Sequence, residues 1–306
     1  MVESVLPSSR SKVWKSKTVL AAYLFVLPAV LFLAVFIVYP VLQSLFLSFF
    51  DWNGFSDKVF IGLKNYADIF RDRNFLIALK NSFVYIVLSS ALILLVGFTL
   101  AVIIDNKVKG WKAYRFVYFL PTMLSFVVVA LLWHKIYDPR LGLLNKTLEL
   151  LHLSVLRQKW LADPDIAMYC IIAMVVWQWA GLFMVFFLAA MGHIDETIYE
   201  AAKIDGVTVF QRVFKITLPM IRDQFIIIAI ILLIASVKVF DIVWVTTQGG
   251  PAGSTHVLGT FLYLVAFRFN RVGYASVVAV IALAISLVFG LIYVNYNKLS
   301  RSEPKP

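Results

Sequence analysis

The sequence predicts an all-α, polytopic membrane protein with six transmembrane helices and a polar loop on the cytoplasmic side. Three observations carry that prediction. Hydrophobic residues make up 61% of the 306 and charged residues only 15%, where a soluble domain carries about 25% charged. The apolar residues gather into runs long enough to cross a bilayer, which takes about 17 to 25 residues as a helix. Helices also satisfy their own backbone polar groups in hydrocarbon. The net charge of +11 is scattered between these runs rather than collected into one patch, so it points to membrane orientation and not to nucleic acid.

Taken in order, a basic tail over 1–18 (Arg10, Lys12, Lys15, Lys17) precedes an uncharged run over 19–50. That run exceeds the roughly 7 to 15 apolar residues of a secretion signal. It is therefore expected to stay as a first span, tilted or bent at Pro28 and Pro40. Further spans are expected over 82–104, 116–137, 166–191, 225–245 and 276–296, together forming one membrane domain over 19–297. The apolar piece over 257–267 is too short to cross and reads as an interfacial or re-entrant helix. A tail over 298–306 closes the chain.

An even number of spans places both termini on one side. With that side inside, the first three inner segments carry four Lys and Arg each and the last three, against five, four and two in the longer outer loops. The bias puts the termini in the cytoplasm. Trp14, Trp52, Trp111 and Trp133 lie near run ends, as interfacial anchors do.

The same orientation makes 192–222 a cytoplasmic loop. Asp195 suits a helix N-cap and Glu196 the positive end of the helix dipole, while Gly206 suits a left-handed helix end. Thr208 and Gln211 have the spacing of a capping box, and Pro219 is expected to end the second helix. Ala201 and Ala202 remove bulk beside Glu200, leaving a slim helix with one carboxylate. Physics leaves two readings open: a handle for another protein, or an amphipathic loop on the bilayer surface.

Glu200-Ala201-Ala202, then Gly206, then Ile216-x-Leu218-Pro219 resembles the signature loop of permease subunits of binding-protein-dependent ABC importers. Tyr199, Ile204 and Asp205 within it resemble the carbohydrate-uptake branch. So do Tyr39-Pro40, 62–66 (Gly-Leu-Lys-Asn-Tyr), Leu120-Pro121, 160–164 (Trp-Leu-Ala-Asp-Pro), Phe240-Asp241 and 247–251 (Thr-Gln-Gly-Gly-Pro). Nearly the whole chain is covered, and it is most similar to the first permease of maltose and glycerol-phosphate systems. The resemblance implies that Glu200, Ala201, Ala202, Asp205, Gly206, Ile216, Leu218 and Pro219 couple to a cytoplasmic ATPase, with Glu200 facing a basic residue there. It implies a second homologous permease, two ATPase subunits and an extracytoplasmic solute-binding protein as partners, and a sugar, oligosaccharide or polyol derivative as cargo. ATP and Mg would sit on the ATPase subunits, and this chain would bind no cofactor.

The remaining residues agree with a non-enzymatic subunit. The fragment nearest a phosphate-binding loop, 142–147, has Asn145 where a glycine must stand. Asn145-Lys146-Thr147 also spells a glycosylation sequon, to which no role is assigned. Cys170 lies in an apolar run and reads as a buried spectator. His134, His152, His193 and His256 lack metal-ligand spacing. Lys238 and Asp241, three apart in the fifth span, read either as a pair on the solute pathway or as a neutralised packing pair. Trp177, Gln178 and Trp179 offer aromatic surface beside an amide, as sugar stacking needs, or simple packing. The rivals are an ion-coupled secondary transporter relaying protons through Lys238 and Asp241, and a membrane-embedded enzyme or insertion factor.

Overall fold

The computed structural model describes residues 17–106 and 109–302. Arg10, Lys12, Trp14, Lys15, Lys107 and Lys305 lie outside the described residues. The architecture is all-α, with one sheet among the described residues, a pairing of β1 (Phe50–Asp51) with β2 (Val59–Phe60).

Helix α1 (Lys17–Leu33) runs through a wide π-helical turn (Ala34–Val38) into α2 (Tyr39–Leu47). In that turn the Tyr39 N–H reaches back to the Ala34 carbonyl, and Pro40, which has no N–H to donate, follows at once. Residues 20–42 are exposed throughout, which an uncharged helix tolerates in lipid and not in water.

After α3 (Lys64–Ile69), α4 (Arg73–Asp105) starts well before its apolar run because Asp72 caps it, accepting from the Asn74 N–H at 2.9 Å. Its 33 residues reach about 50 Å at ~1.5 Å per residue. It packs along α8 (Ala167–Met191) in the most extensive helix pair of the molecule. Lipid removes the hydrophobic drive for helix pairing, so close approach at small residues carries it. A Cβ on Gly97 of α4 would stand 3.1 Å from the Ala180 carbonyl of α8.

The third run is not one straight span. Helix α5 (Trp111–Phe119) and its 3-10 extension (Leu120–Met123) meet α6 (Phe126–Ile136) at 102°. Pro121 and the extended Leu124 and Ser125 make the break, and Ser125 caps α6 through the Val128 N–H at 3.3 Å. The chain turns over α8, where the Tyr118 carbonyl lies 1.9 Å from the place a Cβ on Gly181 would take. Beyond α6 lies the short α7 (Leu143–Leu150).

Past α8 come α9 (Glu196–Ile204), α10 (Val209–Arg212), a wide turn (Val213–Thr217), α11 (Leu218–Met220) and α12 (Arg222–Val237). Pro219 does not end the helix as expected. The Leu218 N–H reaches back to Val213, the same wide turn that precedes Pro40, and the chain breaks only at Ile221, where α12 departs at 77°. The expected fifth span is also broken, between α12 and α13 (Asp241–Thr247). Helix α14 (Leu258–Tyr263) is continued by Leu264–Arg268, and its Leu258, Thr260, Phe261 and Val265 are buried, packed with α4 and α15 (Val272–Ser302).

Among the described residues four helices are long and apolar enough to cross a membrane, or up to six if each bent pair is one span. Two cores result. One joins α4, α6, α8, α12 and α13, and the other joins α3, the start of α4, α14 and the start of α15.

Candidate functional site

The polar segment after α8 is built as two capped helices. Asp195 accepts the Thr197 N–H at 3.0 Å and its hydroxyl at 2.8 Å, and these bonds, the backbone one first, hold its carboxyl below the usual carboxylate range. At the other end Gly206 takes φ +68°. Its N–H bonds Lys203 and the Val207 N–H bonds Ala202, the paired closure that satisfies the last helical carbonyls. Thr208 and Gln211 then form the expected capping box, with bonds of 3.0 and 3.3 Å.

The signature residues divide between two faces. Glu200, Ala201, Asp205, Gly206 and Pro219 are exposed, whereas Ala202 is buried and Ile216 and Leu218 are half-buried. The two alanines therefore differ in placement: Ala202 is buried and Ala201 stays on the open face. Ile204 is 86% exposed and Phe210 72%, apolar surface on the open face of the segment; of the two, the sequence pointed only to Ile204. Between the ends of α4 and α8 and the segment lies a cleft of about 670 Å³, whose walls include Asp105, Glu196, Tyr199, Glu200 and Arg212.

Deeper in the bundle a cavity of about 360 Å³ is walled by α4, α8 and the broken α12–α13 pair, with Tyr85, Trp179, Phe183, Lys238, Phe240 and Asp241 among its lining. Lys238 and Asp241 do not share a helical face, because α12 ends at Val237 and α13 begins at Asp241. Both are exposed to the cavity and no ion pair joins them among the described residues. A Cβ on Gly259 would stand 2.7 Å from the Val239 carbonyl, so α14 passes directly over the break. Phe240 stacks on Trp244 at 5.8 Å, and Tyr263 of α14 closes on that pair.

Trp177 and Gln178 are not on this cavity wall; Trp179 is. Gln178 is buried and donates to the Leu124 carbonyl at 2.9 Å, while Thr122 donates to the Gln178 carbonyl at 2.8 Å. Gln178 thus fastens the α5–α6 break to α8. Trp177 meets Trp133 edge-on at 5.7 Å.

Asn145 is 2% exposed. Its amide donates to the Pro139 and Gln158 carbonyls at 3.0 Å each and accepts the Trp160 indole N–H at 2.9 Å. This is a structural pin for 138–160, and it leaves the sequon without a reachable amide. Beside it, across a shared pocket, Thr247 and Thr255 bond at 2.7 Å to close the 247–255 loop, which Asn81 holds through the Ser254 and His256 carbonyls.

Comparison with known proteins follows the same lines. The family model described as "Binding-protein-dependent transport system inner membrane component" matches residues 112–301. The chain is 37% identical to the probable ABC transporter permease protein YurN of Bacillus subtilis, covering 92% of this chain and 97% of that one. It is 35% identical to the diacetylchitobiose uptake system permease protein NgcF of Streptomyces coelicolor, over 96% and 86%. A chain of a bacterial alginate ABC transporter, solved in complex with an alginate pentasaccharide-bound periplasmic protein, superposes with a TM-score of 0.81 at 25% identity, covering 94% of this chain and 97% of that one.

Proposed function

The chain belongs to the inner membrane component family of binding-protein-dependent transport systems, and from that premise we propose that it carries a saccharide through the cytoplasmic membrane as one of two permeases of an importer. The observation that carries this reading is the capped α9–α10 elbow, with Glu200, Ala201, Asp205 and Gly206 on its open face and Ala202 buried. That elbow docks on a cytoplasmic ATPase subunit, which binds ATP and Mg and does the hydrolysis; the permease itself does no chemistry. A second, homologous permease completes the pathway, two ATPase subunits lie beneath, and a solute-binding protein delivers cargo from outside. Both termini are cytoplasmic.

The saccharide class is supported by the diacetylchitobiose and alginate systems among the similar proteins. The cavity that ends at Lys238 and Asp241 is the candidate pathway: Trp179 and Phe240 give apolar surface for sugar faces, and the two charged groups and the Tyr85 and Ser236 hydroxyls give hydrogen bonds. Movement of the docked elbow tilts the helices that wall this cavity, a rigid-body change.

The test uses the assembled importer. Glu200→Lys is expected to leave membrane insertion intact and abolish binding-protein-stimulated ATP hydrolysis, by placing like charge against a basic partner. Normal stimulation in the assembled variant defeats the docking role. An ion-coupled carrier would instead lose uptake when the ion gradient collapses and ignore loss of the ATPase.

A further inference from the structure

We propose that Arg212 is a strut that ties the docking elbow to α4, so that motion of the elbow moves the wall of the membrane cavity. The inference rests on the docking reading above and assigns α4 a route by which the force reaches it. Arg212 closes α10, at the end of the elbow nearest the bundle. Its Nη2 donates to Oδ1 of Asn106 at 2.6 Å, and Asn106 is the residue that ends α4. The same guanidinium lies over the Tyr199 ring at 5.1 Å, and the Tyr199 hydroxyl meets the Thr217 hydroxyl at 3.2 Å. One planar cation thus joins α9, α10 and α4, a geometry that suits arginine and not lysine.

Three features separate this cluster from ordinary surface polarity. Arg212 is half-buried, with its Nε buried, and its guanidinium meets both Asn106 and the Tyr199 ring. Tyr199 is half-buried, and its ring face takes the guanidinium as a cation–π contact. The element it grips is α4, a single unbroken helix whose Tyr85 and Ile93 line the cavity and whose small residues lock onto α8. The chain itself already joins the elbow to two other walls of the cavity, through 192–195 to α8 and through the 77° turn at Ile221 to α12, and Arg212 adds α4, which no adjacent stretch of chain connects to the elbow.

The experiment reads cavity access directly and needs no solute. In a Cys170→Ala background, Ala235→Cys places one thiol on the cavity wall, and its modification rate by a charged methanethiosulfonate reagent is measured in the purified importer with and without a non-hydrolysable ATP analogue. The nucleotide is expected to change that rate when Arg212 is present. In Arg212→Met the change shrinks about tenfold, the shift expected from losing one charge-assisted hydrogen bond, while the ATPase subunit stays bound and hydrolyses ATP. Asn106→Ala reproduces the loss, adds nothing to Arg212→Met in the double variant, and carries the test should Arg212→Met fail to assemble. Asn106→Asp, which turns the contact into an ion pair, keeps the response. An undiminished nucleotide response in Arg212→Met and Asn106→Ala overturns the strut and leaves docking standing. Loss of the ATPase subunit from both variants also overturns it, since the residues would then serve the docked surface itself. Absence of any ATPase subunit from the unsubstituted complex defeats the docking reading instead.

Discussion

Gly206 separates what the elbow needs for its own shape from what a partner demands of it. At φ +68° an L side chain costs about 1–2 kcal/mol in backbone terms, and no other atom lies within 4 Å of the place a Cβ would take. Within this chain, then, alanine and tryptophan meet the same obstacle, a conformational one, and neither meets a wall. If docking requires the closed α9–α10 elbow, Gly206→Ala weakens binding of the ATPase subunit about tenfold, since about 1.4 kcal/mol is a factor of ten. Gly206→Asn, the residue that tolerates this conformation best after glycine, stays close to the parent. Anything Gly206→Trp loses beyond the alanine value measures the partner's surface. Titrating the purified ATPase subunit against the permease in detergent gives the three affinities, and the expected order is Asn near Gly, Ala about tenfold weaker, and Trp without measurable binding. Equal affinities for Ala and Trp would show that nothing covers this face, and Ala equal to Gly would show that the turn is dispensable.

Gly181→Ala drives a methyl group into the Tyr118 carbonyl 1.9 Å away; overpacking of this kind costs about 1–3 kcal/mol, so the thermal midpoint of the purified protein falls, and an unchanged midpoint contradicts the close crossing. Asn145→Ala leaves the Trp160 indole and two loop carbonyls without their partner, at about 1–3 kcal/mol for each group that water cannot reach. Limited proteolysis within 138–160 should then become faster, and an unaltered digestion pattern rules out the pin. Asp195 has its carboxyl pKa lowered by the Thr197 N–H, so its contribution to α9 is present above the unfolded carboxylate pKa of about 3.9 and fades as pH falls through the lower folded value. Asp195→Asn, which still caps, should flatten that acid loss of α9 amide protection in hydrogen exchange, and an identical acid profile in both proteins would remove Asp195 as its source.

How much of this was legible in the sequence differs between elements. The spans were readable because apolar run length is a one-dimensional signal, and the elbow was readable because caps depend on residues three or four positions apart: Asp195, Gly206, Thr208 and Gln211 all act as their local chemistry directs. The bent and broken spans were not. Pro121 was visible, yet the turn over α8 depends on Gly181 and Gln178, more than fifty residues away in the chain. The break at 238–240 carries no Pro or Gly of its own, and it is settled by Gly259 and Tyr263 pressing from α14. A period-three pairing of Lys238 with Asp241 presumed a helix that tertiary contacts interrupt. Pro219 misled in the opposite direction, because a wide turn absorbs the missing donor and lets the helix continue. Asn145, which the sequence left without a role, is a buried pin; its fourfold hydrogen-bonding capacity was the one available hint.

The most direct measurement replaces Ile204, the apolar residue that stands furthest out on the elbow, with a photo-crosslinking amino acid in living cells. After illumination the adduct is identified by mass spectrometry. Docking on an ATPase predicts a covalent product with a nucleotide-hydrolysing subunit, formed from the cytoplasmic side. Products with lipid alone, or labelling of the same position by an impermeant reagent added outside the cell, would contradict it.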